Sequence, residues 1–211
     1  MDEYKIPASD AETEFTERRS RFIGRIWHTQ TEEEALSCIR TMREKHWDAT
    51  HNVYAYIIRG GATRYSDDGE PQGTAGMPVL EVLRREELYD VTCIVTRYFG
   101  GILLGAGGLV RAYAKSAAMA VDAAGIAERR VWSSMLLTCP YRLFEPVQKL
   151  ILQQGGVVDD TQFGADVTLT LLLPETQEEA FQKKLTDLTS GSLKAEKIGQ
   201  EYRAFPLKTH E

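Results

Sequence analysis

Chemically useful residues gather in two short stretches of this chain. The first reads Arg97-Tyr98-Phe99-Gly100-Gly101-Ile102-Leu103-Leu104-Gly105-Ala106-Gly107-Gly108-Leu109-Val110-Arg111-Ala112-Tyr113. Five glycines within residues 100–108 make a poor helix or strand, since each costs about 1 kcal/mol of backbone entropy. They suit a loop whose amides lie bare. An alanine-rich helix starting near Gly108 then turns free N–H groups and a positive dipole end toward whatever binds there. The segment Val91–Val121 holds no acidic residue, and its charges are Arg97, Arg111 and Lys115. Gly108, Arg111 and Lys115 share one helical face, while Tyr98 and Phe99 offer flat surfaces for base stacking. The chemistry expected is anion binding, of phosphate above all. The bland alternative is a tight strand-to-helix turn, with Ala112, Ala117 and Ala120 allowing close packing.

The second stretch, Ser66-Asp67-Asp68-Gly69-Glu70-Pro71-Gln72-Gly73-Thr74-Ala75-Gly76-Met77-Pro78, sets three carboxylates within four residues. Asp67, Asp68 and Glu70 could hold a hydrated Mg²⁺, but turn chemistry is the commoner fate of such text: the Asp side chains bond their own loop and Glu70 caps the next helix. His51, in Thr50-His51-Asn52, reads first as a hydrogen-bonded structural histidine. A Cys93–His51 nucleophile pair is the weaker reading, because Cys93 sits in the apolar run Val91-Thr92-Cys93-Ile94-Val95. No residue is assigned as catalytic, and no metal or other cofactor is assigned. Named phosphate motifs do not fit: G-x-x-x-x-G-K-[ST] is absent, and Val110 stands where G-x-G-x-x-G needs its third glycine.

These stretches need elements to hold them. The text from Phe15 to Trp27 is strand-like; Thr31 with Glu34 opens a helix on Leu36, Ile39 and Met42 or Arg43; His51 to Ile58 is a strand with Val53, Ala55 and Ile57 on one face. Arg59 to Gly76 reads as a long loop, Pro78 to Glu87 as a helix, Val91 to Tyr98 as a buried strand, and Leu109 to Ala124 as a helix stopped by Gly125. After Arg130 come a strand (Met135 to Cys139), a helix (Tyr141 to Gln154) and two strands (Val157 to Phe163, Val167 to Leu173). A helix capped by Thr176 and Glu179 on Phe181, Leu185 and Leu188, then a strand from Leu193 to Phe205, complete βαββαβ, the ferredoxin-like order. The fold class is α+β in two domains, 1–133 and 134–211, divided near Val131 to Ser134.

Composition narrows the classes of function. The 211 residues are 43% apolar, enough for one large or two small cores, and the net charge is −6. Any polyanion contact must therefore be a local patch. Cys38, Cys93 and Cys139 are odd in number and widely spaced, as expected of reduced thiols in a cytoplasmic protein. The polar start, Met1 to Glu14, gives no expectation of a secretory leader, and no apolar run suggests a membrane span.

Ser20-Arg21-Phe22-Ile23, Thr50-His51-Asn52 with Ala55-Tyr56, Asp67 to Pro78, and Arg97 to Tyr113 together resemble the IMPACT/YigZ family over about residues 15–125. One departure is Val53, where that family often has Cys. The resemblance implies an N-terminal domain like domain IV of elongation factor G, a mixed sheet with helices on one face, and a C-terminal ferredoxin-like domain as in bacterial members. It also implies contact with RNA or the ribosome, and eukaryotic relatives that regulate translation. The expected function is thus a non-enzymatic RNA- or ribosome-associated regulator of translation. Its binding residues would be Arg64, Arg97, Tyr98, Gly100, Gly101, Gly105, Gly107, Gly108, Arg111 and Lys115, with His51, Asp67, Asp68 and Glu70 a motif of unknown role. Two alternatives stay open: a Mg²⁺-dependent enzyme acting on a small phosphorylated metabolite, and a module that binds a protein partner.

Overall fold

The computed structural model describes residues 3–206. Residues 1–2 and 207–211, the outer ends of the two expected domains, lie outside the description. Two compact units emerge, Tyr4–Glu128 and Arg129–Arg203, with a few terminal residues assigned across.

The first unit runs β1 (Tyr4–Pro7), β2 (Ala11–Glu17), β3 (Ser20–His28), α1 (Glu32–Lys45), β4 (His51–Ile57), β5 (Thr63–Ser66), α2 (Gly76–Arg85), β6 (Val91–Tyr98) and α3 (Ala106–Ala124). Its sheet has the order β2-β3-β6-β4-β5. The continuous apolar run of β6 follows from its central place, because both faces are covered. On one face α2 and α3 bury Val53, Ala55, Cys93, Val95, Leu83, Tyr113 and Ala117. On the other, α1 contributes Ala35, Ile39 and Met42 against Tyr56, Ile58 and Ile94. A Cβ on Gly24 would lie 2.6 Å from the carbonyl oxygen of Ser116, so this glycine is what lets α3 lie so close to β3.

The α+β class read from the sequence holds for both units. Inside the first, the expected mixed sheet differs in detail: the strand pairings are antiparallel, and α1 adds a helix on the second face. The single strand-like text from Phe15 to Trp27 is a hairpin, turned at Arg18 and Arg19, which have φ of 44° and 66°. The expected loop after Arg59 contains β5. Thr31 caps α1 by accepting from Glu34 N–H at 3.2 Å, while Ala35 takes the buried place given to Leu36, which is 41% exposed.

The second unit runs β7 (Ile126–Cys139), α4 (Tyr141–Gln153), β8 (Val157–Phe163), β9 (Val167–Pro174), α5 (Glu178–Thr189) and β10 (Glu196–Pro206). Strand β9 pairs with both β7 and β8, and β10 pairs with β7, giving the order β10-β7-β9-β8. Alternate residues of β7 and β9, such as Met135, Leu137, Leu169 and Leu171, face Val147, Ile151, Phe181 and Leu185 of the two helices. The Thr176 cap expected for α5 is not made, because a short 3₁₀ turn, Glu175–Gln177, precedes the helix and Gln177 is its uncapped start. Among the described residues no helix is long and apolar enough to cross a membrane.

Candidate functional site

All the marked stretches of the first unit meet at one end of its sheet, where β2 and β6 stop and β3 and β4 begin. Two arrangements share that end, a buried polar cluster and an open cationic cavity.

Glu70 is the hub of the buried cluster. Only 8% exposed, it meets Arg97 Nη1 at 2.5 Å and accepts the Tyr113 hydroxyl at 2.7 Å, both on Oε1. Its Oε2 faces His51 Nε2 at 3.7 Å. Arg97 Nη2 also donates to Ser20 Oγ at 3.3 Å, and that hydroxyl accepts Gly100 N–H at 3.2 Å. His51 Nδ1 donates to the Asp68 carbonyl at 2.7 Å, so the ring is held by the acidic loop. Burial first, then the Glu70 charge, holds the Tyr113 phenol protonated far above the usual tyrosine range. The other two acids are equally engaged. Asp67 accepts N–H groups of Gly73, Ala75 and Gly76 at 2.8, 3.1 and 2.8 Å, closing the loop onto the start of α2. Asp68 accepts Asn52 N–H at 2.6 Å and Arg43 Nη2 at 3.0 Å. This cluster fastens β3, β4, β6, α3 and the 67–76 loop to one another. Only Asp67 does the turn chemistry weighed against Mg²⁺ binding: Asp68 reaches out to β4 and α1, and Glu70 does not cap α2, whose start at Ala75 has no side-chain cap, because it is taken up by Arg97 and Tyr113. No group of three His, Cys, Asp or Glu among the described residues is placed to hold a metal ion.

The open arrangement is a cavity of about 240 Å³ lined by Phe15, Glu17, Arg18, Leu104, Gly108, Arg111, Ala112 and Lys115. Gly105, at φ 72°, is the residue before α3, and Leu109 N–H makes the first helical bond back to it at 2.9 Å. The amides of Ala106, Gly107 and Gly108 have no hydrogen-bond acceptor among the described residues. Arg111 folds back over that first turn, with Nη1 3.7 Å from where a Cβ on Gly107 would stand. It has no ion-pair partner among the described residues. Lys115 Nζ lies 4.4 Å above the Phe15 ring. The first turn of α3, through Gly108, and three cations thus line one concavity, with Glu17 the one acid in its lining.

The residues expected from sequence divide accordingly. Gly108, Arg111 and Lys115 line the cavity, while Gly105 and Gly107 belong to the adjoining start of α3. Gly100 serves packing instead, since its Cβ would fall 2.0 Å from the backbone of Arg19, whereas Gly101 at φ 81° turns the loop in open space. Arg97 does not reach solvent; it is the counterion of Glu70. Tyr98 is committed to the α1 face, its hydroxyl bonded to His46 Nδ1 at 2.9 Å and donated to Asp48 at 3.1 Å. Arg64 sits on β5, the edge strand opposite β2, and donates to the Thr63 carbonyl at 3.1 Å, so it does not join Arg111 and Lys115. Cys93 pairs across from Ala55, four residues along β4 from His51, and burial pushes its thiol up to about 12. It is core, not a nucleophile. Arg18 was missed because its turn was hidden within a continuous strand-like text; the two successive arginines between Phe15 and Phe22 were the available signal.

Comparison with known proteins agrees with the two-unit reading. Residues 18–121 match the Impact N-terminal domain, and residues 137–192 match a domain of unknown function (DUF1949). The chain is 37% identical to IMPACT family member YvyE of Bacillus subtilis over 182 residues, covering 85% of this chain and 84% of that protein. It is 34% identical to IMPACT family member YigZ of Escherichia coli, covering 92% and 97%. A crystal structure described as that of a hypothetical protein superposes with a TM-score of 0.60 at 33% identity, covering 94% of this chain and 98% of the other.

Proposed function

The chain belongs to the IMPACT family, and on that premise we propose that it is a non-enzymatic RNA-binding protein that associates with the ribosome in the cytoplasm and regulates translation. One observation carries the reading: Arg18, Arg111 and Lys115 converge with the open start of α3 on a single cavity in a chain whose net charge is −6. A bulk-basic surface is not needed for phosphate contact when a local patch supplies the cations and the main-chain donors. The Mg²⁺-enzyme alternative loses support from the same geometry, because Asp67, Asp68 and Glu70 spend their oxygens on loop amides, Arg43, Arg97 and Tyr113.

Reversing Arg111 and Lys115 to Glu tests the reading. Both side chains are exposed, so the double variant is expected to keep the fold. The wild-type chain is expected to travel with ribosomal fractions at moderate salt and the double variant to stay in the supernatant. Equal co-sedimentation of the two would overturn the assignment.

A further inference from the structure

Two aromatic side chains at the same sheet end lie open to solvent. Trp47 is 83% exposed and Phe99 is 45% exposed. Both are held on fixed backbone. The turn carrying Trp47 is closed by Ala49 N–H to the His46 carbonyl at 3.1 Å, and Thr50 N–H bonds the Arg97 carbonyl at 2.9 Å. Phe99 N–H in turn donates to Thr50 Oγ1 at 3.0 Å. The Arg97 guanidinium, immobilised by Glu70, lies 5.5 Å from the Phe99 ring centre and supports the ring. Gly100 follows Phe99 and abuts the backbone of Arg19, next to Arg18 of the cavity lining. Phe99 is thus linked through Gly100 and Arg19 to the cavity, and Trp47 is linked to Phe99 through Thr50, all at the same end of the sheet.

That set of surfaces fits one ligand chemistry. A double-stranded RNA presents phosphates and ribose but keeps its bases stacked on one another, leaving exposed rings with nothing to cover them. A single strand offers both parts: phosphates for Arg18, Arg111 and Lys115, and free base faces for the rings. Resting on the RNA-binding reading above, we infer that the site takes single-stranded RNA, with bases stacked on Phe99 and Trp47 and the backbone in the Arg18–Arg111–Lys115 cavity.

The test uses the full chain and three probes: a single-stranded RNA of about ten nucleotides, its duplex, and an abasic ribose-phosphate oligomer of the same length. The single strand is expected to bind tightest and to quench tryptophan fluorescence, an effect absent in Trp47→Ala. Phe99→Ala and Trp47→Ala should each weaken single-strand binding by about 5- to 100-fold and leave abasic binding unchanged. Arg111→Glu with Lys115→Glu should weaken all three. Equal wild-type affinity for single strand and duplex, or ring variants that bind like wild type, overturns the inference while leaving phosphate contact standing. No RNA binding by the wild type, with nuclease-resistant retention on ribosomes, identifies a protein partner and overturns both readings.

Discussion

Glu70 and Arg97 look alike in the sequence to any other acid and base, yet the fold treats them as one buried unit. Arg97 was the residue most easily mistaken, since its neighbours Tyr98 to Gly101 mark a loop while its own position in β6 points inward. No local pattern distinguishes an arginine that meets solvent from one that meets a glutamate 27 positions earlier in the chain. Removing one member of such a pair leaves a charge without a partner in a dry site. Glu70→Gln should therefore lower folding stability by about 3 kcal/mol in urea titration. Joining Glu70→Leu with Arg97→Met should recover most of that loss, because no lone charge remains. A loss under about 1 kcal/mol for the single variant would show that the pair does not hold this end of the sheet together.

At the scale of elements, the helices and central strands were legible because their periods are long and their stops are marked. Gly125 ends α3 at φ 67°, Thr31 caps α1, and β6 is an unbroken apolar run. The β2–β3 turn was not legible, because two-residue hairpin turns with positive φ at both positions favour Asn-Gly and here hold Arg18-Arg19. Left-handed backbone at two arginines is strained, by about 1 kcal/mol or more each, and such strain persists where surroundings over-determine it. The surroundings here are Gly100 against Arg19 and the cavity beside Arg18. Replacing Arg18-Arg19 by Asn-Gly is thus expected to raise the thermal midpoint while weakening ribosome binding. A variant that is less stable, or that binds as well as the parent, would break the link between the turn's conformation and the site.

Across the whole molecule, the βαββαβ order of the second unit was readable from glycine stops and from apolar patterning, which alternates in the second half of β7 and the first half of β9. The candidate site was half readable: the glycine loop, Arg111 and Lys115 announced themselves, while Arg18, Phe99 as the free ring and Trp47 needed coordinates. An acidic chain can bind a polyanion only through a few contacts, and few contacts give a shallow dependence on salt. The most direct test of phosphate binding at the cavity is the slope of log affinity for single-stranded RNA against log salt concentration. Three cations at one cavity predict a slope of about −2 for the wild type. For Arg111→Glu with Lys115→Glu the slope should approach zero, in step with the loss of binding. The same slope in both proteins would mean that phosphate is held elsewhere and that the cavity is not the RNA site.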